Sequence, residues 1–386
     1  MWGRGFRPFF LAAGGYGGGL MVGWIAIWRG AWPAPMWLAP SLWHAHEMLY
    51  GLVAAAIAGF LLTAVPVWTS SRAVAGRPLM ALTALWAIGR LAMLAAGALP
   101  AGLVAALDFA FLPALALVLA RGLWRTEQRR NYGILCAVGA LALANAAVHA
   151  QALGWAAASA TRALRFAVDL VVILIVVIGG RITPAFTTNA LRLRGAGAVV
   201  RSRPWLDRAA IASVVGVAAA DLLAPHGAAG AALSCTAALL VAARMAGWQT
   251  ARVWSDPLVA SLHAGMAWVA IGLAVVGAGG LGSPLAGTAG LHALTAGAMG
   301  AMILAVMTRV ALGHTGRPLA LPRGAASCYG LVHAGAAARV GAGLAPVALQ
   351  SGVMVAAGLL WAAAFWLFTL VYWRILTGPR VDGKEG

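Results

Sequence analysis

The stretch HEMLYGLVAAAIAGFLLTAV, His46–Val65, decides the fold. About 20 predominantly apolar residues cross the hydrocarbon of a bilayer, and this run carries its one charged residue, Glu47, at its head. Immediately before it the chain reads WHAHEM, Trp43–Met48, so two imidazoles and a carboxylate stand at the mouth of a membrane span. Ionisable groups are expensive there unless a partner, water or a ligand compensates them. Runs of the same kind recur along the whole chain, which is 62% hydrophobic and 9% charged, against roughly a quarter charged in soluble domains.

In lipid every backbone amide must find its partner within its own segment. Long Gly- and Ala-rich runs separated by short polar breaks therefore predict an all-α, polytopic integral membrane bundle, read as a single transmembrane domain over residues 1–386. About twelve spans are expected, near 9–28, 41–65, 79–97, 102–120, 132–153, 164–181, 208–224, 228–247, 257–279, 286–311, 325–346 and 351–376. The seventh and eighth are the weakest, with Asp221 and Pro225–Gly227 between them. The first run has no small-residue cleavage site and leads into further membrane, so no cleavable signal peptide is expected.

The net charge of +18 follows topology. With an even number of spans, nearly all Lys and Arg fall on the side of the termini, including Arg125, Arg129 and Arg130. The opposite loops hold Arg29 and Arg162, with Arg165 and Arg339 at the boundary. This is the positive-inside pattern and predicts cytoplasmic termini, with anionic lipid and not nucleic acid as the charge partner. Cys136, Cys235 and Cys328 lie far apart in apolar runs, with no CxxC or CxxCH, which argues against zinc ribbons, iron–sulfur clusters and covalently attached haem.

The histidines fall into layers when each is placed by depth along its span. His44, His46, His149 and His292 lie in outer turns of the second, fifth and tenth spans. His263, His314 and His333 lie toward the inner side, where Arg181 and Arg309 also end spans; His226 sits in a loop and belongs to neither layer. In a regular helix His44, Glu47 and Met48 share one face, and Trp43, His46 and Tyr50 another, roughly 160° away. The two histidines of WHAHEM then serve different sites, or one of them supports the site from behind or sits at the membrane interface. Neutral imidazole ligates haem iron and copper, and co-layered histidines from separate helices suit either. Glu47, Asp108 and Asp169 are competing candidates for a proton pathway, with Arg90 as a charge partner.

Two polar breaks complete the pattern. In GGRITPAFTTN, Gly179–Asn189, Pro184 is expected to push Thr183 into an extended conformation and end the helix, with Thr187, Thr188 and Asn189 capping a following short helix. GHTGRP, Gly313–Pro318, breaks span ten. Arg181, Arg309 and Arg317 are expected charge partners for a haem carboxylate or another anion. Ala296, Gly297 and Gly300 form a small-residue face for close packing.

These stretches carry a resemblance. FRPFF (Phe6–Phe10), WHAHEM, GFLLTAVPVWT (Gly59–Thr69), RRN (Arg129–Asn131), NAAVH (Asn145–His149), GGRITPAFTTNAL, DPLVASLHAG (Asp256–Gly265) and HALTAGAMGAMILAVMTRVALGHTGRPL (His292–Leu319) resemble the NnrS family. These are haem- and copper-containing membrane proteins of the bacterial nitric oxide response. The resemblance implies a twelve-span protein of the bacterial inner membrane with haem b, and copper as a further candidate.

On that reading His44 and His292 are the axial candidates, and His46 and His149 the next ligands, to copper. His263 and His314 form a second, inner metal or haem site. Glu47 donates a proton or orients an imidazole. Nitric oxide is the expected small-molecule ligand, bound or reduced at a His-ligated haem by an unidentified electron donor, with membrane lipid around the protein. The competing reading is a secondary transporter of a metal or small molecule, for which twelve spans and broken helices also serve.

Overall fold

The computed structural model describes residues 1–35, 37–124, 131–197, 200–225, 227–283 and 288–384. His226 and the arginines at 125, 129 and 130 lie outside the described residues. Each expected span has a helix: α1 (Phe6–Trp28), α2 (Pro40–Thr69), α3 (Arg77–Leu94), α4 (Ala101–Trp124), α5 (Tyr132–Ala152), α6 (Ser159–Leu193), α7 (Pro204–Leu223), α8 (Ala228–Ala246), α9 (Pro257–Gly280), α10 (Ala289–His314), α11 (Ala325–Gly341) and α12 (Val347–Thr377). Among the described residues, 10 helices are long and apolar enough to cross a membrane. The two that fall short are α11, with 17 residues, and α7, which carries Asp207, Arg208 and Asp221. The chain is thus an all-α, multi-pass membrane protein.

The helices belong to two compact units. The first comprises Met1–Ala167, Met307–Leu319 and Phe368–Gly386, and the second Val168–Val306 and Ala320–Leu367. In the first unit the FRPFF stretch opens α1, with Phe6, Phe9 and Phe10 fully buried. Gly5 offers α1 no side-chain cap, and Thr63 of α2 supplies one instead: its hydroxyl accepts from the Phe6 N–H at 3.1 Å and donates to the Gly59 carbonyl at 2.8 Å. Arg7 donates to the Leu376 and Gly378 carbonyls at 2.8 and 2.5 Å. A cation there compensates the carbonyl end of α12. The start of α1 and the end of α12 therefore meet.

In the second unit, α6 departs from expectation. Pro184 does not end it; the helix runs on to Leu193. A π-helical turn at Ile175–Gly179 stands directly before the proline's turn, and the residue four before Pro184 is Gly180. The widened ladder gives the ring the room it lacks in a regular helix, while the bare Gly180 makes room for the Arg244 guanidinium. Thr187 and Thr188 do not cap a new helix. Each hydroxyl donates to the carbonyl four residues back, at 2.8 Å. Gly297 and Gly300 do provide close packing, but against indole rings: a Cβ on them would lie 2.6 Å from Trp268 and 2.7 Å from Trp361.

Candidate metal centre

The head of α2 is α-helical from Pro40 to His46 and then makes a π-helical turn over Glu47–Val53. Such one-residue expansions re-aim side chains and recur at functional sites. Regular α geometry puts Glu47 on the face of His44. In the structure Glu47 joins His46 instead, with Glu47 Oε1 2.9 Å from His46 Nδ1. The expected separation of the two histidines holds. His44 stacks on Trp24, centroids 4.4 Å apart and planes at 13°, while His46 points into a buried polar cluster.

Four more helices of the first unit complete that cluster. Arg90 on α3 donates through Nη1 to Glu47 Oε1 at 2.5 Å and pairs through Nη2 with Asp108 Oδ1 on α4. Asn145 and His149, one turn apart on α5, present their side chains from one face. Asn145 Nδ2 donates to Asp108 Oδ2 at 2.8 Å, and its Oδ1 lies 2.9 Å from His46 Nε2. His149 Nε2 is 2.7 Å, and His46 Nε2 3.2 Å, from Asp108 Oδ2. The Tyr16 hydroxyl on α1 donates to Glu47 Oε2. Glu47 and His46 are fully buried, and Asp108 and Arg90 nearly so.

Gly89 makes the Arg90–Asp108 meeting possible. A Cβ at Gly89 would lie 3.1 Å from the Asp108 Cα and 3.3 Å from the Leu107 carbonyl oxygen. Those are backbone atoms that cannot swing aside. Gly89→Val is expected to push α4 off α3 and cost about 1–3 kcal/mol as an overpacked contact. A fall in the thermal unfolding midpoint of purified protein checks it, with exposed Gly102→Val unchanged.

The donor and acceptor pattern then limits what the cluster contains. Asp108 orients Asn145 with its amide nitrogen toward the carboxylate and its oxygen toward His46. His46 Nδ1 faces a carboxylate, and His46 Nε2 faces the Asn145 oxygen and Asp108 Oδ2. Both ring nitrogens therefore look at acceptors, whereas a neutral imidazole has one donor only. Charge gives the same answer: two carboxylates and one guanidinium leave one negative charge uncompensated in a water-excluded place. One more proton or a metal ion is required: a proton on an imidazole or a carboxyl of the cluster, or a metal ion beside Nε2.

The geometry suits an ion. His46, Asp108 and His149 each offer one ligand atom, all within 4.8 Å of one another. Metal–ligand bonds of about 2.1 Å at tetrahedral angles put donors about 3.4 Å apart, so small outward movements suffice. His46 has the second bond that usually orients a ligating imidazole, through Nδ1 to Glu47. His149 Nδ1 has no hydrogen-bond partner among the described residues. Trp37 lies against both rings at 5.1 and 5.2 Å. Three donor atoms this close together offer a ligand set for a single ion.

The other expected site residues are placed separately. His292 donates from Nδ1 to the Thr288 carbonyl at 2.8 Å, leaving Nε2 as its lone-pair nitrogen. His263 is held at both nitrogens, by Thr187 at 2.8 Å and Thr250 at 2.9 Å. Because Thr187 already donates to Thr183, it accepts from His263 Nε2–H, and Thr250 donates to Nδ1. His314 lies 5.8 Å from the Phe6 ring, and its carbonyl accepts from Arg380 at 2.8 Å. His333 Nδ1 accepts from the Trp268 indole at 3.1 Å. Arg181 is exposed, Arg309 buried and Arg317 half-buried. His292 and His263 belong to the second unit, and His44, His46, His149 and His314 to the first.

Sequence reasoning misses Tyr16, Asn145 and Trp37 as site residues. A signal exists for Asn145, four residues before His149 in NAAVH; none exists for Tyr16, whose partner is set by tertiary packing.

Fold and site together define a multi-pass helical membrane protein with a buried histidine–carboxylate centre. The family model described as NnrS protein matches residues 1–380, and the chain belongs to the NnrS family. That membership points to a membrane protein of the nitric oxide response with metal-containing cofactors. The comparison with curated proteins returns no match.

Proposed function

We propose that this chain is a bacterial inner-membrane protein of the nitric oxide response that holds a first-row transition metal at His46, Asp108 and His149. The observation that carries the reading is His46 Nε2, which faces two acceptors within 3.2 Å in a cluster short of one positive charge. Two imidazoles and a carboxylate suit iron, copper or zinc; copper is the metal that the family resemblance implies. When bound, the metal supplies an open coordination position for a diatomic such as nitric oxide.

The residues around it do the rest. Glu47 fixes the His46 ring through Nδ1, and Arg90 fixes Glu47 and Asp108 against each other. Glu47 accepts from the Tyr16 hydroxyl at one oxygen and from His46 Nδ1–H at the other, which fixes the imidazole tautomer with Nε2 as the ligating nitrogen. Trp37 screens the two rings from water. Haem b, also implied by the resemblance, is assigned outside this cluster. His292 Nε2 in the second unit and His44 in the first are separate candidate ligands for it. His263, bonded at both nitrogens, and His314 remain the inner candidates.

Metal analysis and optical spectra of purified protein test the proposal. The wild type is expected to carry about one transition metal that His46→Ala and His149→Ala lose, while both variants keep any Soret band. Loss of the Soret band in His292→Ala, with the metal retained, separates the two sites. Equal metal in all three variants overturns the assignment, and colourless, metal-free wild type favours the transport reading.

A further inference from the structure

The second unit contains a cavity that the metal reading does not use. It has a volume of about 610 Å³ and is lined by Arg201, Arg203, Arg244 and Arg252, together with Ser202 and Gln249. Arg244 is buried at its floor, 5% exposed. Its Nε bonds Asp207 at 2.5 Å, its Nη1 donates to the Val176 carbonyl at 2.8 Å, and its guanidinium lies 5.6 Å from the Trp248 ring. Arg201, Arg203 and Arg252 are exposed around it, and none has a carboxylate partner among the described residues. Asp207 is committed to Arg244 and to the Ser202 hydroxyl, so three guanidinium charges converge on the cavity unanswered.

The enclosure is built, not a chance splay of surface arginines. The segment leading into α7 is strapped to the end of α8 by the Arg201 N–H, which donates to the Gly247 carbonyl at 2.9 Å. A Cβ at Gly247 would lie 2.5 Å from the Arg201 carbonyl oxygen. Only glycine lets the strap close and bring Arg201 onto the wall. Trp205 and Trp254, each 62% exposed, adjoin Arg203 and Arg252 closely in sequence, and exposed tryptophans of this kind anchor at headgroup depth.

We infer that this cavity binds a phosphate-bearing anion. Arginine forks match phosphate oxygens in geometry and charge, and basic pockets between helices at the cytoplasmic face take anionic headgroups. The chemistry is shared by the phosphodiester of an anionic phospholipid and by a free polyphosphate, and the experiment has an arm for each.

Full-length protein is prepared in nanodiscs of phosphatidylcholine with phosphatidylglycerol, and bound lipid is counted by native mass spectrometry. In lipid-free detergent, inorganic pyrophosphate is titrated by calorimetry. The triple variant Arg201→Gln/Arg203→Gln/Arg252→Gln is compared with a control triple of exposed arginines outside the cavity, Arg72→Gln/Arg77→Gln/Arg121→Gln. Each phosphate-facing arginine near the surface contributes on the order of fivefold, so the cavity triple is expected to lose at least about tenfold in one arm while the control stays within about twofold. Gly247→Val, which lifts the strap and keeps every charge, is expected to follow the cavity triple. Loss in the lipid arm identifies a headgroup, and loss in the pyrophosphate arm a soluble anion. No binding in either arm, or equal loss in the control triple, overturns the inference.

Discussion

Arg90→Met is expected to be the most damaging single substitution in the first unit. Arg90 touches both buried carboxylates, Glu47 through Nη1 and Asp108 through Nη2. Methionine fills much of the same volume but leaves two negative charges facing each other without a cation. Removing one partner from a buried ion cluster costs about 3–5 kcal/mol, because the remaining charge stays buried. The thermal unfolding midpoint of the purified variant should fall steeply, or the protein should fail to run as a single species. The double variant Arg90→Met/Glu47→Gln removes one of the orphaned charges and should recover more than half of the loss. An Arg90→Met protein that melts with the wild type would show that the cluster is not held by charge compensation.

How much of this is legible in the sequence depends on the range of the interaction. The helices are, because the apolar length of a span is a local property: α1, α5 and α9 end within a few residues of their expected limits. The histidines of the cluster are half legible. WHAHEM and NAAVH mark the ends of their spans, but co-layering by depth gives too large a set, since helix rotation and lateral placement are unknown from one sequence. It groups His46 with His44, His149 and His292; the structure brings His149 to His46, together with Asp108 and Asn145. The π-helical turn at Glu47–Val53 is not legible at all. No residue in EMLYGLV announces an extra residue per turn, and nothing local shows that the Glu47 carboxylate, one regular turn after His44, reaches over to His46 Nδ1. Pro184 errs the other way. A proline is a strong local signal for a helix end, and it is overruled by the π turn before it.

The same cluster yields a second large effect, one that separates a metal from a bound proton. Asp108→Asn is expected to abolish metal retention without destabilising the metal-free protein. The substitution deletes one of three ligand atoms and, with it, the uncompensated charge: Glu47 and Arg90 alone sum to zero. The hydrogen bonds can also close. With its oxygen toward Arg90, the introduced amide turns its NH₂ toward Asn145, whose own amide then turns over to accept that bond and donate to His46 Nε2. His46 becomes a neutral ring with Nδ1–H on Glu47 and a satisfied lone pair on Nε2. A metal present at 100 times its dissociation constant stabilises the wild type by about 2.7 kcal/mol, so a chelator should lower the wild-type midpoint and leave Asp108→Asn where it was. If chelation leaves both proteins unmoved, the missing positive charge is a bound proton and not a metal. If Asp108→Asn keeps a full complement of metal, His46 and His149 bind it without the carboxylate, and the three-ligand assignment falls.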